Sequence, residues 1–447
     1  MTTSSPTIEP PKRIELHGDT EVLHEADGSI AQTKSVRALN GWYTDFIVVL
    51  IGAVAMTATY PGRTHGLGMV TEPLLKDFQL STDDGRVLFA TINFWATIIG
   101  SVFCIPIGWL FDRFDRRWVL AANLTFLGFV VIAMSQVTSL WTLAIAITLT
   151  RGLGQSALSV VSITIVAKSF SAQRLGLAMA WYAVLFAPLH LVLIQGVGWA
   201  FTLEDASWRT IWAVIGVSLV ALSSSAWLLP QPCESSVKKN LARDSDGFTL
   251  VQALRTPAFW TFSLTISAWG MIYAGVALFN EDIFRERGFE RSLYFNVLTE
   301  VTLVAICAKF LFGWLVNYIP LNRLLAACLF VTSLSLVGLT QATEVWHAYV
   351  YGVGLGIASG AVALLFFATW GKLYGNRELG RIQGVAQMLS VFASAAGPVI
   401  FSASKRATTS YTSVFIVLAI FMFAMAIIAI FTALPRPNAI PASTPDH

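Results

Sequence analysis

Long apolar runs recur along almost the whole chain, and they determine the fold class. A helix that crosses a lipid bilayer needs about 20 mostly apolar residues, and twelve such runs are present. Only 12% of the residues are charged, whereas a soluble domain carries about 25%. The sequence therefore predicts an all-α membrane protein. Its spans are expected at residues 43–72, 86–110, 118–136, 140–167, 175–200, 208–229, 258–283, 293–316, 322–341, 346–371, 380–403 and 411–433.

A polar stretch between the sixth and seventh runs divides the chain into two halves. We expect both termini to be cytoplasmic, in a cell membrane, because most of the 29 Lys and Arg residues then lie on the cytoplasmic side. The expected parts are a flexible cytoplasmic tail at 1–40, a six-helix bundle at 41–230, a cytoplasmic linker at 231–256, a second six-helix bundle at 257–434 and a cytoplasmic tail at 435–447.

The two halves also repeat in sequence. Gly108-Trp109-Leu110 in the first half returns as Gly313-Trp314-Leu315 in the second. Six helices followed by a parallel copy of six is the architecture of secondary transporters, which rock two halves about a central site.

Several classes of function are excluded by what the sequence lacks. A net charge of +3 gives no nucleic-acid footprint, and the four cysteines have no metal-ligand spacing. There is no ATPase motif and no set of catalytic residues. We therefore expect a non-enzyme without cofactor or metal, embedded in the lipid bilayer and functional as a monomer.

The loop between spans 2 and 3 carries the most specific motif. It reads Gly-Trp-Leu-Phe-Asp-Arg-Phe-Asp-Arg-Arg from Gly108 to Arg117, which resembles the G-x-x-x-D-R-x-G-R-R loop of the major facilitator superfamily. Asp115 replaces the usual second glycine. The resemblance implies the twelve-helix fold and alternating access. We expect a conformational latch in which Asp112 meets a helix N-terminus or an arginine across the half-to-half interface; its members are Gly108, Asp112, Arg116 and Arg117. The alternative is a merely solvated basic turn.

Shorter segments resemble one branch of that superfamily, the monocarboxylate porters and oxalate/formate antiporters. These segments are the Tyr60-Pro61 step, the stretch from Gly68 to Phe78, the loop from Phe170 to Ala178 and Lys309-Phe310-Leu311-Phe312-Gly313. The resemblance implies a monocarboxylate substrate. Two positions depart from it: Arg63 and His65 stand near the place of a first-span lysine, and Ala305 replaces an acid in span 8.

Three basic residues lie within predicted spans and have no carboxylate partner on their own helix: Arg63, Arg151 and Lys309. A charged group at membrane depth costs about 2.5–3.5 kcal/mol on insertion scales and normally faces a cavity or a partner. We expect the missing anion to be the substrate. The predicted substrate-binding residues are Arg63, His65, Arg151, Lys309, Asn93, Gln383 and Gln387, and the candidates for carrying a coupled proton are His65 and Glu300.

Each of these residues also has a plainer interpretation. Arg63 and His65 lie at the rim if span 1 ends at Pro61, Arg151 can pair structurally with another helix, and Lys309 can snorkel to the surface. The glutamines of span 11 can serve in interhelical hydrogen bonds. Near the end of span 1, we expect Glu72 to pair with Lys76 one turn later.

These observations together predict a secondary active transporter of a small organic anion, most like a monocarboxylate, working by proton symport or anion exchange. A proton-coupled drug or metabolite efflux antiporter is the alternative within transport. A ligand sensor that does not transport is the alternative from another class.

Overall fold

The computed structural model describes residues 29–203, 207–230 and 247–435. The predicted tails and linker therefore lie partly outside the described residues. The chain divides into two compact units, Met1–Thr44 and Asp45–His447. Of the first unit, only the beginning of one helix is described, and every contact reported below lies within the second.

Twelve helices in the described residues are long and apolar enough to cross a membrane. This confirms the predicted all-α membrane fold with twelve spans. The described residues form no β-strand, and the single isolated bridge joins Gly247 to Gly375.

The first six spans, which we call the N half, contain several interrupted helices. Span 1 is broken around Pro61, span 2 around Val102 and Phe103, and span 4 contains a π-helical segment. The helices are Ser29–Thr57, Tyr60–Gly62 (3-10) and Thr64–Asp77 in span 1; Asp83–Ser101 and Cys104–Arg113 in span 2; Arg116–Ser135 in span 3; Leu140–Thr150, Arg151–Leu158 (π) and Ser159–Ser169 in span 4; Ala172–Ala200 in span 5; and Trp208–Leu222 with Ser223–Leu228 (3-10) in span 6.

The last six spans, the C half, are continuous helices. A short helix, Leu250–Leu254, precedes them. Pro398 lies inside span 11 without ending it, as Pro188 does in span 5. The helices are Pro257–Glu286 in span 7, Arg291–Leu315 in span 8, Leu321–Thr340 in span 9, Val345–Tyr374 in span 10, Leu379–Thr408 in span 11 and Thr412–Phe431 in span 12.

Glycines bring the two halves into close contact at one end of the bundle, which we call the Asp112 end. A Cβ added to Gly108 of span 2 would lie 2.3 Å from the carbonyl oxygen of Gly380 in span 11. A Cβ added to Gly176 of span 5 would lie 2.6 Å from the carbonyl oxygen of Gly313 in span 8. Gly108 and Gly313 are the repeat positions noted in the sequence, so each half contributes the same residue to a contact with the other half.

At the opposite end, which we call the Asp77 end, polar contacts tie span 1 to its neighbours in the N half. The Asp77 carboxylate accepts hydrogen bonds from Trp208 Nε1 and Arg209 Nε, both at 3.0 Å. Glu72 pairs with Arg86 of span 2, with Nη1 to Oε1 at 2.6 Å, rather than with Lys76 as expected. The arginine reaches across a helix pair, and its bidentate geometry is better than a one-turn lysine can offer.

An ionic cluster holds spans 7, 11 and 12 together at the Asp77 end of the C half. A hydrogen bond from Arg285 lowers the pKa of Asp282, and the Tyr411 hydroxyl, 2.9 Å from Asp282 Oδ2, adds to this shift. Desolvation opposes ionisation of Glu286, but hydrogen bonds from Lys405, Ser410 and the Tyr411 amide outweigh it and lower its pKa. Both carboxylates therefore stabilise the folded protein in their ionised form.

Candidate functional site

The break in span 1 packs directly against the π-helical segment of span 4. A Cβ added to Gly62 would lie 2.2 Å from the carbonyl oxygen of Thr150 and 2.7 Å from the amide nitrogen of Gln155. Only glycine permits so close an approach of two backbones. Irregular helix segments of this kind occur frequently at functional sites.

Arg151, the first residue of the π-helical segment, bridges the break. It is 4% exposed. Its Nη1 donates to the Gly62 carbonyl oxygen at 3.3 Å, to Thr64 Oγ1 at 3.0 Å and to Gln155 Oε1 at 2.8 Å. Its Nη2 donates to Asn93 Oδ1 of span 2 at 3.3 Å. All four acceptors are neutral, so the network binds the guanidinium without neutralising its charge.

Arg63 follows the break and is half-buried. Its Nε donates to Thr59 Oγ1 at 3.0 Å, and its Nη2 contacts Met56 Sδ and Ser159 Oγ, each at 3.0 Å. Within the part of the chain that the structure describes, Nη1 has no acceptor. This arginine therefore keeps a free donor beside the break.

The first span does not end at Pro61, because the helix resumes at Thr64 and continues to Asp77. Those 14 residues correspond to about 21 Å at 1.5 Å per residue. Arg63 therefore precedes the Asp77 end of this span by almost four helical turns, and its place at cavity depth stays a prediction.

In the described part of the chain, no carboxylate pairs with either of the two arginines. Among the residues that the structure describes, no Asp or Glu oxygen lies within 4.0 Å of a nitrogen of Arg63 or Arg151. The arrangement is thus a pair of cationic side chains within the bundle, held by hydroxyl, amide, carbonyl and thioether groups.

Aromatic residues of span 5 surround this region. The rings of Tyr60 and His190 lie 6.1 Å apart, and those of Phe186 and His190 lie 5.1 Å apart. Tyr182 shares a hydrogen bond of 2.8 Å with Ser162 of span 4 and contacts Phe367 of the C half, with ring centroids 5.5 Å apart. Tyr182 therefore connects the fourth span to the other half.

Sequence reasoning missed some of the groups that hold Arg63, namely Met56, Thr59 and Ser159. In the sequence, Arg151, Gln155 and Ser162 follow one another at the spacing of one face of a regular α-helix. The π-helical segment changes that spacing by adding residues to the turn. As a result, Ser159 bonds Arg63 while Ser162 bonds Tyr182 and the Gly52 carbonyl oxygen.

Among the described side chains, those of Lys309, Gln383 and Gln387 make no hydrogen bond to these arginines. Lys309 is half-buried and has no hydrogen-bond partner among the described residues. Gln383 is 2% exposed, and its Nε2 has no acceptor in the described part of the chain. Gln387 is also buried. The Glu300 carboxylate packs against Gly352 of span 10. Only the backbone of His65 is described, in the helix after the break.

At the Asp112 end, the aspartate meets a helix N-terminus across the half-to-half interface, the kind of contact expected from the motif. Asp112 Oδ1 accepts from the Gly380 amide and Oδ2 from the Arg381 amide, both at 2.9 Å. Lys168 Nζ of span 4 lies 2.8 Å from Oδ1, and the Asp112 side chain is 8% exposed. The buried Asp112 carboxylate thus binds one cation of its own N half and two backbone amides of the C half. Its action as a latch stays a prediction.

The two arginines of the motif make contacts within the N half instead. Arg116 donates to Ser169 Oγ at 2.8 Å and to the Pro230 carbonyl oxygen at 2.7 Å, and Arg117 donates to the Leu229 carbonyl oxygen. They join the beginning of span 3 to the ends of spans 4 and 6. Asp115 has φ −58°, so the backbone at this position does not require the glycine it replaces.

The second repeat has a weaker version of the same arrangement. Asn317 stands where the first repeat has Asp112, and its Oδ1 accepts from Lys372 Nζ at 2.8 Å. The lysine contact is thus retained while the negative charge is lost.

The sequence model of the Major Facilitator Superfamily matches residues 46–294. The chain belongs to this superfamily. No curated protein matches the chain by sequence. Solved structures share the fold at 13% identity. The proton:xylose symporter XylE, with 6-bromo-6-deoxy-D-glucose bound, has a TM-score of 0.67 over 89% of this chain and 96% of its own. The human organic anion transporter MFSD10 (TETRAN) has a TM-score of 0.62 over 86% of this chain and 98% of its own. FucP, in the outward conformation, has a TM-score of 0.61 over 87% and 98%.

Membership of this superfamily and the twelve spans indicate a multi-pass membrane protein that transports a small solute. Superfamily members are transporters rather than enzymes.

Proposed function

We propose that the protein transports a small organic anion, most like a monocarboxylate, by proton symport or anion exchange. The observation that supports this is the uncompensated pair of arginines inside the bundle. A cation in a low-dielectric site is costly unless an anion or water solvates it. An anionic substrate supplies that partner during each transport cycle.

In this proposal the two arginines have different tasks. Arg63 contacts the carboxylate, because it is half-buried and its Nη1 has no acceptor among the described residues. Arg151, which is 4% exposed, holds the break in span 1 and adds positive charge. Lys309 is the proposed contact from the C half, since it is half-buried and lacks a partner among the described residues.

The names of two of the solved structures state what those proteins transport. One is called an organic anion transporter and the other a proton:xylose symporter. At 13% identity both support the fold, and the choice of an anion rests on the arginines.

Uptake of labelled lactate, pyruvate or oxalate into proteoliposomes tests the proposal. We expect Arg63→Ala to lower uptake at least tenfold, because one charge-assisted hydrogen bond to a carboxylate contributes about 1.5–3 kcal/mol, and Lys309→Ala to lower it as well. The matched control is Arg174→Ala, which removes an arginine whose side chain is 75% exposed and pairs with Asp45. Uptake that survives both Arg63→Ala and Lys309→Ala would remove the site assignment.

The coupling mode requires a separate measurement. A pH gradient that accelerates uptake indicates symport, and acceleration by the same unlabelled anion inside the liposome indicates exchange. His65 and Glu300 are the proposed proton carriers, so His65→Ala or Glu300→Gln is expected to abolish the response to pH but not exchange. Export of cationic dyes driven by an opposing pH gradient, with indifference to carboxylates, would favour the efflux alternative.

A further inference from the structure

Several spans have a Ser or Thr at the N-cap position, immediately before the helix begins, and in most of them this side chain caps the helix. The side chains of Thr82, Ser139, Ser207 and Thr256 accept from amides of the first turns of spans 2, 4, 6 and 7. An N-cap of this kind satisfies the amide of the second or third helical residue. These are local caps, supplied by the same helix.

Span 11 is capped by the other half of the protein. Its first three helical residues are Leu379, Gly380 and Arg381, and its N-cap residue is Glu378. The Glu378 side chain makes no cap hydrogen bond. The second and third amides, those of Gly380 and Arg381, donate to Asp112 of span 2 instead. Asp112 therefore occupies the place that a local capping side chain would take.

Two hydrogen bonds hold the Glu378 carboxylate away from the free backbone amides of its own helix. Oε2 accepts from the Leu250 amide at 2.6 Å, and Oε1 accepts from Arg381 Nη1 at 2.8 Å. Leu250 is the first residue of the short helix that precedes span 7, and Thr249 caps that helix with a capping box. The backbone of Glu378, with ψ 41°, also differs from the extended conformation of the local caps, such as Thr82 with ψ 160°.

The segment that holds Glu378 is itself fixed to the loop between spans 10 and 11. The Phe248 amide donates to the Tyr374 carbonyl oxygen at 2.8 Å, and the hydroxyls of Thr256 and Tyr374 share a hydrogen bond of 2.7 Å. Gly247 lies against this loop with φ +133°, and an added Cβ would lie 2.5 Å from the Tyr374 carbonyl oxygen. The end of the central linker therefore fixes the position from which Glu378 is held.

We infer that Glu378 is a positioning residue for the rocking of the two halves: held by Leu250 and Arg381, it leaves the Gly380 and Arg381 amides free for Asp112. A shorter capping side chain at residue 378 takes these amides for its own helix. The contact between the halves then weakens, and the Asp112 end opens more often. This inference depends on the alternating access of the superfamily and not on the identity of the transported anion.

The test measures the separation of the halves at the Asp112 end by double electron–electron resonance. In a variant without the four native cysteines, spin labels replace Leu228 and Tyr318, which are 66% and 69% exposed and lie in different halves. Asp112→Asn is the reference for a weakened contact. Midpoints of thermal unfolding in detergent verify that each variant is folded.

The order of the variants at residue 378 separates capping from a merely structural role. We expect Glu378→Asp and Glu378→Ser to raise the ratio of open to closed protein about tenfold, as expected for one N-cap. Glu378→Gln and Glu378→Ala, which supply no good N-cap, are expected to change it less than threefold. Leu250→Pro is the matched control: it removes one of the two groups that hold Glu378, the Leu250 amide, while Arg381 Nη1 still holds the carboxylate, and proline is tolerated at the first helical position. It is expected to behave like Glu378→Ala.

Two results would overturn the inference. In the first, Glu378→Ala opens the Asp112 end as much as Glu378→Asp does, which means that Glu378 acts through the linker contact alone. In the second, Glu378→Asp and Glu378→Ser both leave the distances unchanged in folded protein while Asp112→Asn shifts them. Neither result affects the anion proposal, which is measured by uptake in variants of Arg63.

Discussion

Replacing Gly62 by alanine tests whether the close contact between spans 1 and 4 organises the site. The added Cβ would lie 2.2 Å from the Thr150 carbonyl oxygen and 2.7 Å from the Gln155 amide nitrogen. Both are backbone atoms of span 4, so neither can rotate aside as a side chain can. The break in span 1 must therefore move by about 1 Å to reach ordinary van der Waals contact.

We expect Gly62→Ala to lower the free energy of unfolding by about 2–4 kcal/mol. Overpacking in a well-packed region costs about 1–3 kcal/mol. Displacing the Gly62 carbonyl oxygen also weakens its 3.3 Å hydrogen bond from Arg151, and hydrogen bonds to charged groups contribute about 1.5–3 kcal/mol. The remaining three acceptors of Arg151 retain part of that contribution.

The matched control is Gly68→Ala, six residues later in the same span. An added Cβ there has no atom within 4 Å, and replacing a helical glycine by alanine is worth about 0.5–1 kcal/mol. The midpoint of unfolding in detergent should therefore fall for Gly62→Ala and rise slightly for Gly68→Ala. Equal midpoints for the two variants, or a more stable Gly62→Ala protein, would refute the packing argument.

Two smaller predictions concern charges at the Asp77 end. Because the folded-state pKa values of Asp282 and Glu286 are lowered, their stabilisation is present above the unfolded-state pKa values and is lost as pH falls through the folded ones. Thermal unfolding midpoints should therefore drop below about pH 4, and less so in Tyr411→Phe, which lacks the hydroxyl bonded to Asp282. For the Glu72 and Arg86 pair, whose side chains are 68% and 45% exposed, Glu72→Gln should change the free energy of unfolding by less than about 1 kcal/mol in a denaturant titration. A loss of several kcal/mol would contradict this.

The twelve spans could be predicted from sequence because the bilayer demands a minimum apolar length, and each run satisfies it alone. The first span was expected at residues 43–72 and is found over Trp42–Asp77. The interruption at Pro61 was also visible, since proline and glycine are adjacent there. The structure after the interruption could not be predicted. An apolar run looks the same whether the helix ends there or resumes after one turn of 3-10 helix.

The candidate site could be predicted in part. The sequence alone shows that Arg63, Arg151 and Asn93 are polar residues within apolar spans. Their meeting depends on how helices pack in three dimensions, which the periodicity of one helix does not determine. Glu300 and Lys309 are nine residues apart in the sequence, which places them on opposite faces of span 8, but helical periodicity does not determine what either face contacts. Glu72 pairs with Arg86 of the neighbouring helix and not with Lys76 of its own, and this contact also depends on how the helices pack.

The proposed anion site and the Asp112 contact share two helices, and this restricts how one can influence the other. Span 4 carries Arg151 and Lys168, which are 17 residues apart in sequence, or about 25 Å along a helix. Over that distance two unit charges interact by about 0.7 kcal/mol at an effective dielectric constant of about 20, and salt weakens this further.

Direct electrostatics is therefore too weak to release Asp112 when an anion binds, and the influence has to pass through helix movement. The irregular turns are the places where that movement is least costly. A Cβ added to Gly152 in the π-helical segment would lie 2.8 Å from the ring of Phe103, at the break in span 2, and a Cβ on Gly100 would lie 2.9 Å from Arg151 Cβ. The two irregular turns pack against each other, between the arginines and the Asp112 end. This packing predicts that a shift of Arg151 also displaces the part of span 2 that carries Asp112.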